Sequence, residues 1–176
     1  MPHGVPTREE CLKILENVGT PRNVIEHCIA VSDYARQLAE KASKKGKNID
    51  IQLVEAGGLL HDIGRSKTHN VSHGVVGAEI VRSLGLPEEL ALIVERHVGA
   101  GITRDEAEAL GLPPKDYLPL TFEEKIVAHA DNLTFGKNYV TIEDVLERFK
   151  RELGENAPAI ERLKKLHKEI EELVDP

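Results

Sequence analysis

Six residues of a type that can do chemistry fall where a helical reading of this chain expects apolar ones: His27, His61, Asp62, His73, His97 and Asp131. His27 lies three after Val24 and four before Val31, on the same helical stripe. His61 follows Gly57 by four and Asp62 follows Gly58 by four. His73 leads the stripe Gly77, Ile80, Val81 and Leu84, His97 follows Ile93 by four, and Asp131 follows Val127 by four. Singly, each has an ordinary explanation, such as a satisfied core histidine or a carboxylate that caps or pairs. Together, six polar groups on five inward faces would cost several kcal/mol each if stranded in a core. Convergence on a metal ion satisfies them all, because imidazole and carboxylate form a suitable mixed ligand set for divalent transition metals.

The other histidines serve as controls. His129 stands two before Asp131, about 200° around a helix, and is expected to face away from the site. His167 sits among Lys and Glu and reads as surface, His69 falls in a loop, and His3 belongs to the terminus. Cys11 and Cys28 lie among apolar residues without a CxxC spacing and read as core fillers.

The elements that must carry these residues are nearly all helices; no alternating strand of useful length stands out. Thr7 with Glu10 forms a capping box for a first helix ending near Gly19. A second is expected from Thr20-Pro21 to about Lys45, and a third over roughly Asp50 to Ile63, stopped by Gly64 as a left-handed cap. Ser72 can cap a fourth through Leu84, and Pro87 opens a fifth reaching about Val98. A short helix over 103–110 precedes helices over about 122–133, 141–153 and 156–173. The last carries Ile160, Leu163, Leu166, Ile170 and Leu173 on one face, suited to capping the core or to a homodimer seam. The expected fold is a single all-α domain, 1–176, of eight or nine helices.

Composition narrows the functional classes. With 176 residues, 40% hydrophobic but only 3% aromatic, the chain can build one core from Leu, Ile, Val and Ala. A formal net charge of −7 argues against a stable nucleic-acid complex, though a bound cation can invert the local field for a small anionic substrate. No apolar run resembles a signal peptide or a membrane span, so a cytoplasmic location is expected.

Leu59-Leu60-His61-Asp62-Ile63-Gly64, with His27 on the preceding helix and Asp131 in Ala128-His129-Ala130-Asp131-Asn132, closely resembles the HDIG branch of the HD superfamily of metal-dependent phosphohydrolases. The resemblance spans about residues 20–135 and implies a helical bundle that hydrolyses phosphate mono- or diesters, often of nucleotides. It implies His27, His61, Asp62 and Asp131 as ligands of a first metal. His73 and His97 resemble the added positions of two-metal members, with Asp62 bridging. Fe, Mn, Ni, Co or Zn would fit such a donor set.

Two positions depart from the family pattern: Arg65 replaces the usual Lys, and Arg96-His97 stands where adjacent histidines are common. The signature of cyclic-di-GMP phosphodiesterases is missing. Hydrolysis would use metal-activated water, with Asp62 or Asp131 as proton acceptor. Arg65 is the first candidate phosphate clamp and Lys67 the second, with Arg96 and Arg22 further candidates. The expected partner is a small phosphorylated or nucleotide-like substrate. A non-catalytic nucleotide-binding or regulatory HD domain is the competing class, and a purely structural helical domain the third.

Overall fold

The structure, a computed structural model, describes residues 4–175, so His3 lies outside the described residues. Helices α1 (Arg8–Asn17), α2 (Arg22–Lys44) and α3 (Ile51–Leu60) are followed by a 3₁₀ turn, Ile63–Ser66. Then come α4 (His73–Ser83), α5 (Glu88–Glu95), α6 (Arg104–Ala109) and α7 (Phe122–Asn132). A two-residue ladder, β1 (Thr134–Phe135) with antiparallel β2 (Asn138–Tyr139), precedes α8 (Ile142–Leu153) and α9 (Pro158–Val174). The domain is all-α, as expected, and the ladder is the small element that periodicity missed, being too short to show alternation.

Helix α3 is the centre of the bundle. Seven of its ten residues are buried, and its polar residues Gln52 and Glu55 mark the one edge that reaches solvent. Two adjacent glycines let its neighbours come close. A Cβ on Gly58 would stand 2.6 Å from the Ser32 Cα of α2, and one on Gly57 would stand 2.8 Å from the Ile93 Cγ2 of α5. The end of α3, where His61 and Asp62 sit, is thereby pressed between the helices that carry or precede His27 and His97.

Several helix ends differ from the sequence reading. Helix α3 stops at Leu60 rather than Ile63, and Gly64 does not adopt a left-handed backbone. Its need is space: a Cβ there would fall 1.9 Å from the His73 carbonyl oxygen. Pro21 is the N-cap of α2 rather than its first residue, and Ser72 precedes α4 without a side-chain capping bond. Helix α5 ends at Glu95, so His97 belongs to the loop just beyond it.

The stripe of α9 is covered within the chain. Ile160, Leu163, Leu166, Ile170 and Leu173 are all buried in the main core, which supports capping over a dimer seam. His167 is not a surface residue: it is half-buried, and its ring stacks on His129 at 5.4 Å. A smaller cluster of Ile102, Ala107, Leu112 and Tyr117 forms a side lobe around α6.

Candidate metal centre

His27 comes from the second turn of α2, His61 from the C-cap of α3, and Asp62 from the turn that follows. His73 begins α4, His97 follows α5, and Asp131 lies in the last turn of α7. The structure brings all six together. His27, His61 and Asp131 offer ligand atoms within 4.8 Å of one another, and so do Asp62, His73 and His97.

The orientation of each imidazole is set by a backbone carbonyl. His61 Nδ1 donates to Gly58 O at 2.6 Å, His73 Nδ1 to Asn70 O at 2.9 Å, and His97 Nδ1 to Val94 O at 2.6 Å. His27 Nδ1 donates across the site to Gly136 O at 2.6 Å. A carbonyl oxygen can only accept, so a proton sits on each Nδ1, and Nε2 is the atom turned toward the carboxylates, a free lone pair whenever the ring is neutral. Metal-ligating histidines are characteristically fixed in this way.

The four Nε2 atoms face the two carboxylates. Asp131 Oδ1 is 2.9 Å from His27 and 3.3 Å from His61. Asp62 divides its oxygens: Oδ2 lies 3.6 Å from His27 and 3.5 Å from His61, while Oδ1 lies 3.3 Å from His73 and 3.2 Å from His97. His73 Nε2 and His97 Nε2 are themselves only 3.1 Å apart. A neutral imidazole has one N–H and here meets acceptors at both nitrogens. Lone pairs crowded on carboxylate oxygens repel unless cations stand between them. His61 Nε2 is fully buried and has no hydrogen-bond partner. These donors therefore fit one or two divalent cations, with Asp62 shaped to reach both.

The electrostatics agree. Burial disfavours charge on His61, yet the nearby Asp62 and Asp131 carboxylates hold its imidazole well above the ordinary value. Burial likewise opposes ionisation of both carboxylates, but His61 first, with the other histidines, holds each far below the usual range. At His97 burial wins and the pKa is lowered. The centre thus keeps two ionised carboxylates in a largely buried site, a strong attraction for a cation.

Arg65 lines the cavity in front of these groups, its Nε 3.3 Å from Asp62 Oδ2 and its Nη1 donating to His69 O. The other two expected substrate contacts need correction. Arg96 turns away and pairs with buried Glu124 at 2.9 Å, and Lys67 is exposed; neither lines the cavity. Arg22 is exposed and outside it too. His129 faces away from the centre as expected, against Tyr34 and His167.

The cavity measures about 940 Å³ and extends well beyond the six residues. Asn132 helps shape it by donating from Nδ2 to Gly99 O at 3.0 Å, which ties α7 to the loop after His97. Its outer wall holds Phe135, Arg148, Phe149 and Arg162, none of which the sequence singled out as a polar contact. The signal in α8 was only an Arg beside a Phe at the edge of an apolar stripe, a pattern common on any amphipathic helix.

The HD domain family matches residues 24–136 of the chain. The chain belongs to the HD domain family. An uncharacterized protein of Methanocaldococcus jannaschii is 60% identical, over 94% of this chain and 98% of the relative. A tRNA (cytidine(56)-2'-O)-methyltransferase of Thermoplasma volcanium is 43% identical over 93% of this chain, which spans only 46% of that protein. Among solved structures, the HD domain of the Listeria monocytogenes phosphodiesterase PgpH in complex with cyclic-di-AMP shares the fold. Its TM-score is 0.54 at 18% identity, covering 94% of this chain and 97% of that one. The family match ends before α8, so the outer wall built by α8 and α9 lies beyond it.

Proposed function

We propose that this HD domain is a metal-dependent phosphohydrolase acting on a small nucleotide-like phosphodiester. The observation that carries this reading is the convergence of four Nε2 atoms on two carboxylates, one of which presents a separate oxygen to each ligand group. His27, His61, Asp62 and Asp131 would hold a first divalent ion, and Asp62, His73 and His97 a second. Such ions acidify water and neutralise phosphoryl oxygens.

The chain's own residues supply the rest. Carboxylates held ionised beside the cavity can take a proton from the attacking water, a role assigned here to Asp62 or Asp131. Arg65 keeps part of its donor fork free of Asp62 and His69, and that edge would orient a phosphate oxygen at the mouth of the centre. Room for two ions and a large cavity favour a diester over a monoester. PgpH, a phosphodiesterase that binds cyclic-di-AMP on the same fold, is consistent with that preference. Fe, Mn, Ni, Co and Zn all suit the donors.

The test is a hydrolysis panel of phosphomonoesters, 2',3'-cyclic and 3',5'-cyclic phosphates and linear dinucleotides with Mn, Fe or Ni. The protein is prepared without chelator and wild type is compared with Asp62→Ala. A loss of roughly 100-fold or more in the variant is expected. Equal activity in both would refute the proposal, and tight nucleotide binding without turnover would assign the domain to regulation instead.

A further inference from the structure

The outer wall of the cavity contains a cation whose only ion pair among the described residues is long, to Glu152 one helical turn on. Arg148, on α8, lays its guanidinium over the Phe135 ring at 4.2 Å, with the Phe149 ring at 6.0 Å. Stacking uses the face of the guanidinium and leaves its in-plane N–H donors unspent. Its Nε is buried without a hydrogen-bond partner, and the nearest carboxylate oxygen, on Glu152, is 3.9 Å away, beyond hydrogen-bond reach.

The other two arginines of the cavity are occupied. Arg65 leans on Asp62, and Arg162 is held by Glu106 at 2.6 Å and by Gly101 O at 3.1 Å. Arg148 is therefore the side chain of the three that is preoriented by stacking and makes no side-chain hydrogen bond among the described residues, its one ion pair being the long contact to Glu152. A volume of about 940 Å³ sits at the upper end of the roughly 300–1,000 Å³ typical of small-molecule sites. That is far more than one phosphate ester needs.

We propose that Arg148 is a second anion clamp, so that the site takes nucleotides carrying a further phosphate besides the scissile one. The substrate class becomes linear or cyclic dinucleotides with two phosphate groups. The proposal rests on the phosphohydrolase reading for which phosphate is scissile, but not for its own measurement. Arg148 stands on α8, outside the matched family segment 24–136.

The test is calorimetric binding in the presence of Mn²⁺, using phosphorothioate-linked diadenosine with and without a 5'-phosphate, and the cyclic bis-phosphorothioate. Wild type should bind at least one of the two-phosphate probes roughly tenfold or more tighter than the one-phosphate probe, the size expected of a charge-assisted fork. Arg148→Gln should bring that ratio to near one, with Arg148→Lys between. Loss confined to the linear probe marks a terminal phosphate, and loss confined to the cyclic probe a ring phosphate. A wild-type ratio near one, or a ratio unchanged in Arg148→Gln, would overturn the clamp. Should Arg148→Gln fail to fold, Arg148→Lys carries the same comparison, since it keeps stem and charge but not the fork. Failure of the phosphohydrolase reading would show separately, as absent cleavage of the ordinary diesters by the same wild-type protein.

Discussion

Three of the four imidazoles at the centre donate Nδ1–H to the carbonyl three residues earlier, so each ring is aimed by its own local backbone. His27 is the exception, reaching Gly136 across the site. Asp62 joins the two halves because its oxygens point to different histidine pairs. From this division, His73→Ala should lose one of two bound metal equivalents while His27, His61 and Asp131 keep the other. Metal analysis after saturation and desalting checks it, and a wild type that never exceeds one equivalent would contradict the two-ion reading.

At the level of elements, the site depends on how closely three segments approach. The turn carrying Asp62 lies against the first turn of α4, and Gly64 is the point of contact with the His73 carbonyl. The obstacle is backbone, which cannot rotate aside. Gly64→Ala should therefore destabilise the fold by about 3 kcal/mol, at the upper end of the usual overpacking range. It should also displace His73 relative to Asp62. Denaturant titration together with metal stoichiometry tests both parts. A variant with wild-type midpoint and two ions would show that the turn can yield.

The whole molecule has a second histidine pair with a different consequence. His129 is buried where α7 meets α9, and burial, aided by the stacked His167, lowers its pKa to about 3. The unfolded chain takes that proton near pH 6.5, whereas the folded one refuses it until about 3. In between, the unfolded state binds more protons, so stability present above about pH 6.5 declines as pH falls. The decline attributable to His129 should amount to roughly 3–5 kcal/mol by pH 3. His61, with its raised pKa, works in the opposite sense, so the comparison must be with a variant. His129→Phe keeps the stacking and should flatten the acid limb of the stability curve. An unchanged slope would mean the ring is hydrated or already charged.

Much of the centre was legible in one dimension. Helical phase turns His27, His73 and Asp131 inward and His129 away from them, because side-chain direction repeats with the helix and burial follows that period, whereas Asp62 and His97 lie just past helix ends and are aimed by the turns there. Helix existence was readable for the same reason, and Thr7 caps α1 as expected, while the structure adds Thr103, Thr121 and Thr141 as caps, each accepting from a backbone N–H three residues on. The identity of Arg65's and Arg96's partners was not. Arg65 stands three residues after Asp62 and Arg96 directly before His97, but Arg96 is drawn off by Glu124, 28 residues away, and only folding decides which carboxylate a long side chain reaches. The same holds for Arg148, which enters the cavity because α8 and α9 fold back over the core, and for Asp62, whose two oxygens acquire different partners only in three dimensions. Periodicity reports which face of an element is buried; what that face meets depends on long-range packing, and so the sequence determined the set of candidate ligands while the tertiary structure decided the charge balance and the walls of the site.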